Sequence, residues 1–406
     1  MGAVSVLVLN AGSSTLKFSL FAGRTTQRTV DGIVEGAPAE ERAGGGRPRS
    51  ILRVRREGGS ARAASVPGRP AEAVPAVLPE IAEELASDPV TAVGHRVVHG
   101  GRGLTMSAAI DPRMLEEITR LSELAPLHNP PAIASIAAAR RELAGVPHVA
   151  VFDTAFFADL PPARHVYALP YEWYAEHGVR RYGFHGISHA YCAGRAAELL
   201  GRSAEGLRIV TCHLGNGCSA TATVGGRAVA TTMGFTPLEG LVMGTRAGSV
   251  DPGILLYALE RMGLTAGELG ETLQRRSGLL GLSGVSSDFR TVQEAAREGH
   301  ERARLALSVY AEAVRSAIGS LAASAGGVDA LVFTAGVGEN AHALREEVCR
   351  GLSFLGLALD PERNRTRIPD ADIAADGSPG RILILHTRED LFIAAETLRV
   401  AEAASP

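Results

Sequence analysis

At 406 residues the chain is too long for one ordinary hydrophobic core, so two domains of comparable size with a cleft between them are expected. A hydrophobic share of 46% with 21% charged residues suits a globular protein, and 41 basic against 44 acidic residues leave a formal charge of -3, which offers no footprint for nucleic acid or an anionic membrane. The four cysteines, Cys192, Cys212, Cys218 and Cys349, lack CxxC spacing, which disfavours a disulfide framework or a zinc site.

The opening MGAVSVLVLNAGSS has no cationic segment ahead of its short apolar run, Val6 stands where a myristoylation signal takes Ser or Thr, and no apolar stretch reaches bilayer length. A cytoplasmic location is therefore expected. Val4 to Leu9 and Leu16 to Phe21 flank the turn AGSST and predict a hairpin. Ala37 to Pro75, rich in Gly, Arg, Ala and Pro, reads as a surface excursion of the first sheet with some disorder. Helical patterns follow at 71–85, 112–124 and 131–144, then a strand at 148–152. The second half predicts a helix at 189–200, a second hairpin within 208–229, helices at 253–262 and 301–325, and a strand at 330–334. A Gly turn, a helix at 343–351, a strand at 382–385 and a helix at 389–404 complete it. Two similar hairpin openings suggest two related halves, and sheets flanked by helices indicate α/β architecture.

Three groups of residues suggest chemistry. Glycine-bearing turns at Asn10–Ser14, His213–Gly217 and Gly336–Asn340 each follow a predicted strand, where backbone N–H groups can approach phosphates closely. A plain hairpin turn needs similar glycines, but three such turns after strands carry more weight. None matches GxxxxGK[ST] or GxGxxG. Arg and His sit in glycine-rich or turn-like settings at Gly94–Gly101, Arg181–Gly186 and Gly244–Arg246, which reads as loops facing a ligand; a surface salt bridge is the even alternative for each. Asp153 ends an apolar strand and Glu389 opens the last helix, positions suited to Mg²⁺ or its waters, or merely to capping. Lys17 is the only lysine.

The ordered motifs VLVLNAGSSTLKFSLF, GHRVVHGG, LAPLHNPP, VFDTAF, RRYGFHGISH, HLGNGCS, MGFTPLEGLVMGTRAG, GVSSDFR and FTAGVGEN closely resemble the acetate kinase family, from the first strand to the final TREDLFIAAET. That resemblance implies two RNase H-like (actin-like ATPase) domains flanking an ATP cleft: residues 1–153 joined by the last helix, about 389–406, and a nucleotide-binding domain of 154–388. It implies that Asn10 and Glu389 bind Mg²⁺ or Mn²⁺, and that Ser13, Thr15 and Lys17 lie beside the phosphates. His213, Leu214, Gly215, Asn216 and Gly217, with Asp288, Phe289 and Arg290 and with Gly336, Val337, Gly338, Glu339 and Asn340, would cradle ATP. Arg96 would hold the substrate carboxylate with His128 nearby, Asp153, His185 and Arg246 would sit at the reacting centre, and Val98, Leu127, Phe184 and Pro237 would line a small apolar pocket. A homodimer is implied as well.

The implied reaction is reversible transfer of the ATP γ-phosphoryl group to acetate, giving acetyl phosphate and ADP by direct in-line attack. An acid with a pKa near 4.3 is ionised at neutral pH and needs no general base, so Asp153 is expected to orient Arg or metal-bound water rather than move a proton. Phe157, Ile187, Ala247, Ser249 and Arg388 depart from the family's usual His, Thr, Ser, Asp and Asn, which bears on pocket shape and efficiency more than on reaction class. A methylene is worth about 1 to 3 kcal/mol in a pocket, so a propionate- or butyrate-type kinase is the nearest alternative. A non-catalytic nucleotide-binding regulator on the same scaffold is the other.

Overall fold

The computed structural model describes residues 5–12, 14–23, 27–36, 49–56, 62–126 and 128–403. The chain divides into two compact units, Met1–Phe156 with Arg388–Pro406, and Phe157–Thr387.

In the first unit, β1 (Ser5–Ala11) and β2 (Thr15–Ala22) form the expected hairpin, closed by the Gly12 N–H donating to the Thr15 carbonyl. β3 (Gln27–Gly36), β4 (Arg49–Arg56) and β5 (Arg62–Pro67) continue the antiparallel ladder. The Arg/Gly-rich stretch is thus partly sheet: Arg and hydrophobic residues alternate along β4, so Leu52 and Val54 turn inward while Arg53 stays exposed. Residues 37–48 and 57–61 lie outside the described residues. On the other side of β1, β6 (Val90–Val97) and β8 (His148–Phe152) run parallel, and β7 (Ala108–Ala109) pairs antiparallel with β8. Among the described residues this sheet has the order β5-β4-β3-β2-β1-β6-β8-β7.

Two expectations change here. The helix expected over 71–85 is broken into Pro70–Glu72, Val74–Glu80 and Ala82–Ser87; Pro79 has no N–H to donate, and Ile81 leaves the helical region at φ -115°. Gly94, His95 and Arg96 belong to β6 rather than to a loop. Gly94 answers to packing: a Cβ there would stand 2.3 Å from Thr397 Oγ1 and 2.8 Å from Ile393 Cγ2, both on the helix Glu389–Ala403. That close approach fixes where Glu389 begins.

In the second unit, β9 (Arg208–Leu214), β10 (Cys218–Val224) and β11 (Arg227–Thr231) are antiparallel, and β12 (Ala330–Thr334) runs parallel to β9. β14 (Arg381–Ile384) runs parallel to β12, and β13 (Ala371–Asp372) closes the edge. The order is β11-β10-β9-β12-β14-β13. Both sheets therefore contain one plan, three antiparallel strands followed by two parallel ones and a short antiparallel edge strand, as the repeated hairpin suggested; β4 and β5 extend it in the first sheet. Every residue of β8 and β12 is buried, as expected of central strands covered on both faces. The helix Gly186–Leu199 contributes Cys192, Ala193 and Ala196 to a core with Ile209, Val332 and Leu383, and the helix Glu301–Ala325 runs with the bounds expected. Gly336–Asn340 is helical rather than a turn, because Ala335 takes φ +65° directly after β12 and starts a helix there. All four cysteines are buried. No described helix is long and apolar enough to cross a membrane.

Candidate active site

In the first unit, four residues from four separate segments meet. Arg96 on β6 donates from Nη2 to Asp153 Oδ2 at 2.6 Å, from Nε to Asp153 Oδ1 at 3.3 Å, and from Nη1 to Asn10 Oδ1 at 3.1 Å. Asn10 on β1 donates from Nδ2 to Glu389 Oε2 at 3.3 Å. Burial works against the Arg96 charge, but Asp153 and Glu389 outweigh it and hold its pKa above the ordinary guanidinium value. Lys17 lies directly opposite Asn10 in the β1–β2 register and is exposed, with Thr15 two residues before it. Opposed residues share a face, so Lys17 stands on the Asn10 side of the sheet.

The corner beyond β6 is tied down by Asn129, which accepts from His99 N at 3.2 Å and donates to His99 O at 3.1 Å. That double contact brings Val98 and His128 onto neighbouring segments; Val98 is buried and His128 immediately precedes the helix Asn129–Glu142. Ser13 and Leu127 lie outside the described residues.

In the second unit, His185 occupies the left-handed region at φ +57°, an uncommon conformation for a residue with a side chain, at the start of the helix Gly186–Leu199. Its ring stacks on His213 with centroids 4.2 Å apart. A Cβ on Gly217 would meet His185 Cε1 and Nε2 at 3.4 Å and Arg246 Nη1 at 3.6 Å, so His185, Gly217 and Arg246 border one small space. Arg246 donates from Nη1 to Pro237 O at 2.9 Å; burial lowers its pKa, and among the described residues no carboxylate pairs with it. Phe184, beside His185, is buried.

The three segments expected around a nucleotide also meet. A Cβ on Gly244 would stand 2.1 Å from Asn216 Oδ1 and 2.9 Å from Ser287 O, which joins the segment 213–217, the end of β9 and the turn after it, to the one ending at Asp288. A Cβ on Gly338 would lie 3.7 Å from Leu214 Cβ, and one on Gly215 would lie 3.8 Å from Ala335 Cβ. Phe289 is buried edge-to-face on Tyr310, while Asp288 and Arg290 are exposed. Asp288 caps the helix Phe289–Arg297, and the Thr291 N–H holds its carboxyl below the usual range. Among the described residues nothing lies within 4 Å of a Cβ added at Gly336; Val337 is partly exposed, and Glu339 accepts from His386 Nδ1 at 2.7 Å.

The model of the acetokinase family matches residues 5–395. The chain belongs to the acetokinase family. It is 48% identical to an acetate kinase of Heliobacterium modesticaldum, covering 97% of this chain and 99% of that one, and 44% identical to one of Geobacillus sp. (98% and 98%). Among solved structures it resembles Porphyromonas gingivalis acetate kinase (38% identity, 98% and 99% covered, TM-score 0.87) and a propionate kinase of Francisella tularensis (36%, 98% and 100%, TM-score 0.89).

Some neighbours of these family motifs escaped the sequence reading. Ser219 contacts both His185 and His189, and Ser188 contacts both His213 and Thr387. His189 was detectable at helical spacing four residues after His185, and Ser219 at strand spacing two residues after Gly217.

Proposed function

We propose that this chain transfers the γ-phosphoryl group of ATP reversibly to a short-chain carboxylate, with acetate the first substrate and acetyl phosphate the product. Arg246 carries the reading. A half-buried guanidinium with its pKa lowered, beside Gly217 and, among the described residues, without a carboxylate partner, is arranged for an anion that arrives with the substrate.

Asn10 and Glu389 offer hard oxygen atoms from two segments already held together. Among the described residues no cluster of three His, Cys, Asp or Glu could hold a metal on its own. One carboxylate plus an amide suits Mg²⁺, or Mn²⁺, which completes its shell with waters and substrate phosphates. When bound, the ion neutralises charge on the β- and γ-phosphates.

Arg96 anchors the acid's carboxylate while Asp153 holds Arg96 in orientation. The acid is already ionised, so one of its oxygens attacks phosphorus without a general base, the P–O bond to ADP breaks, and no net proton moves. Arg246 and His185 stabilise the charge spread over the three equatorial oxygens. The segments 213–217, 288–290 and 336–340, with Ser13, Thr15 and Lys17, bind the nucleotide. His128, Val98, Leu127, Phe184 and Pro237 shape the pocket for the acid's short chain. We place the enzyme in the cytoplasm as a homodimer; exposed Ile254, Leu256 and Tyr257 on the helix Pro252–Glu260 support self-association.

Incubation with ATP, Mg²⁺ and acetate in the presence of hydroxylamine should yield acetohydroxamate, and its absence would remove the proposal. The likeness to a propionate kinase keeps a second reading, decided by kcat/KM for acetate, propionate and butyrate.

A further inference from the structure

Ser219 sits on β10 with no exposed surface, and two histidine rings converge on its hydroxyl: His185 Nδ1 at 2.9 Å and His189 Nε2 at 2.7 Å. A serine oxygen has a single proton, so it can donate to only one of them and must accept from the other. The ring of His189 decides the direction. It is fully buried and edge-on to Phe157, burial followed by the neighbouring His213 keeps it neutral, and among the described residues its Nδ1 has no partner. A neutral imidazole carries one N–H, and placing that N–H on Nδ1 would bury an unpaired donor. His189 therefore carries its proton on Nε2 and donates it to Ser219. The Ser219 proton is then directed at His185 Nδ1, which must accept.

We propose that Ser219 is a positioning residue for the phosphoryl transfer: relayed from His189, its hydroxyl holds His185 as the Nε2–H tautomer, with that N–H on the edge facing Gly217 and Arg246. The proposal deepens the kinase reading and rests on it for its functional meaning. In the relay, His185 presents a donor to the phosphoryl oxygens whether or not the ring is charged. The opposite tautomer would turn a lone pair toward the same oxygens and repel them. The left-handed backbone at His185 serves the same end, since it sets the ring between Ser219 and Gly217.

The tautomer is read directly from long-range ¹H–¹⁵N spectra of the ¹⁵N-histidine-labelled wild-type protein, with His185 assigned by its loss in His185→Gln. Nε2–H is expected, and Nδ1–H overturns the proposal. Ser219→Ala should turn the His185 signals into a mixture of tautomers and lower kcat by about 10- to 100-fold, the usual effect of removing an outer partner, with KM for ATP and for the acid within about threefold. A kcat within twofold of wild type, or an unchanged tautomer, overturns it. If Ser219→Ala does not fold, the wild-type spectrum decides alone. The spectrum requires no turnover, so an Nε2–H signal without acyl phosphate would leave the relay standing and remove the kinase reading.

Discussion

Arg96 and Asp153 form a two-point ion pair whose acidic side chain has no exposed surface, while 17% of the Arg96 side chain reaches solvent. The exposed part of the pair is thus the cation, which supports the proposed role of Asp153 as an orienting group rather than a contact for substrate. Asp153→Asn keeps the shape and loses the charge. Its activity should fall by about 10²- to 10³-fold, the scale of removing one preorganised electrostatic partner, and the ratio to wild type should stay constant from pH 6 to 9. Recovery at high pH, or a limb of the wild-type pH–rate profile that vanishes in the variant, would instead make Asp153 a proton carrier.

Gly217 is a second point where geometry and chemistry can be separated. An alanine methyl there would touch His185 and Arg246 at 3.4 to 3.6 Å, which is ordinary contact, and Gly217 is not among the glycines with positive φ. Gly217→Ala should therefore fold with a Tm within about 2 °C of wild type. The methyl occupies space assigned to phosphate oxygens, so KM for ATP should rise about tenfold, roughly 1.4 kcal/mol. An unchanged KM would place the nucleotide elsewhere.

Local pattern made much of this legible. β8 and β12 are short apolar runs, and the helix Glu301–Ala325 has sustained helical periodicity; each keeps the bounds read from sequence. Charged and glycine-bearing motifs marked the candidate residues because phosphate chemistry uses few residue types. What local pattern could not supply were causes lying far along the chain. Gly94 looked like a loop glycine because its reason, the helix side chains Ile393 and Thr397, is some 300 residues away. Ser219 looked like one more strand serine because only the fold brings two histidines to it. The helices Ala266–Arg275 and Phe289–Arg297 were missed although their caps, Thr265 with Glu268 and Asp288, are written in the sequence.

Histidines that stay neutral set an acid limit on stability. Burial pushes His99 down to about 4, and its Nδ1 accepts from Gly101 N at 2.9 Å. Burial likewise pushes His95 well below its ordinary value, and His148 down as well; the two share a hydrogen bond of 3.0 Å. Each group takes up its proton more readily in the unfolded chain. The stability is complete above the unfolded value of about 6.5 and is lost as pH falls toward the folded values. For His99 alone the loss at pH 5 is about 2 kcal/mol. Denaturant titrations at pH 7.5 and 5 should show it, and His99→Gln should reduce the difference by about that amount. An undiminished difference would mean that His99 is protonated in the folded chain.

Arg246 should reveal a trade between stability and function. Its guanidinium is partly withdrawn from water, burial lowers its pKa, and among the described residues it donates to the Pro237 carbonyl at 2.9 Å and the Met243 sulfur at 3.6 Å, neither of them an anion. A charge held this way costs free energy until an anion joins it. Arg246→Met removes the charge and keeps much of the volume, so the ligand-free variant should melt at or above the wild-type temperature. Its phosphoryl transfer should fall by at least about 10²-fold. Saturating nucleotide should raise the Tm of wild type more than that of the variant, because only wild type gains the missing partner on binding. A variant that keeps its activity while losing several degrees of Tm would make Arg246 a structural residue and move the phosphoryl group to another cation.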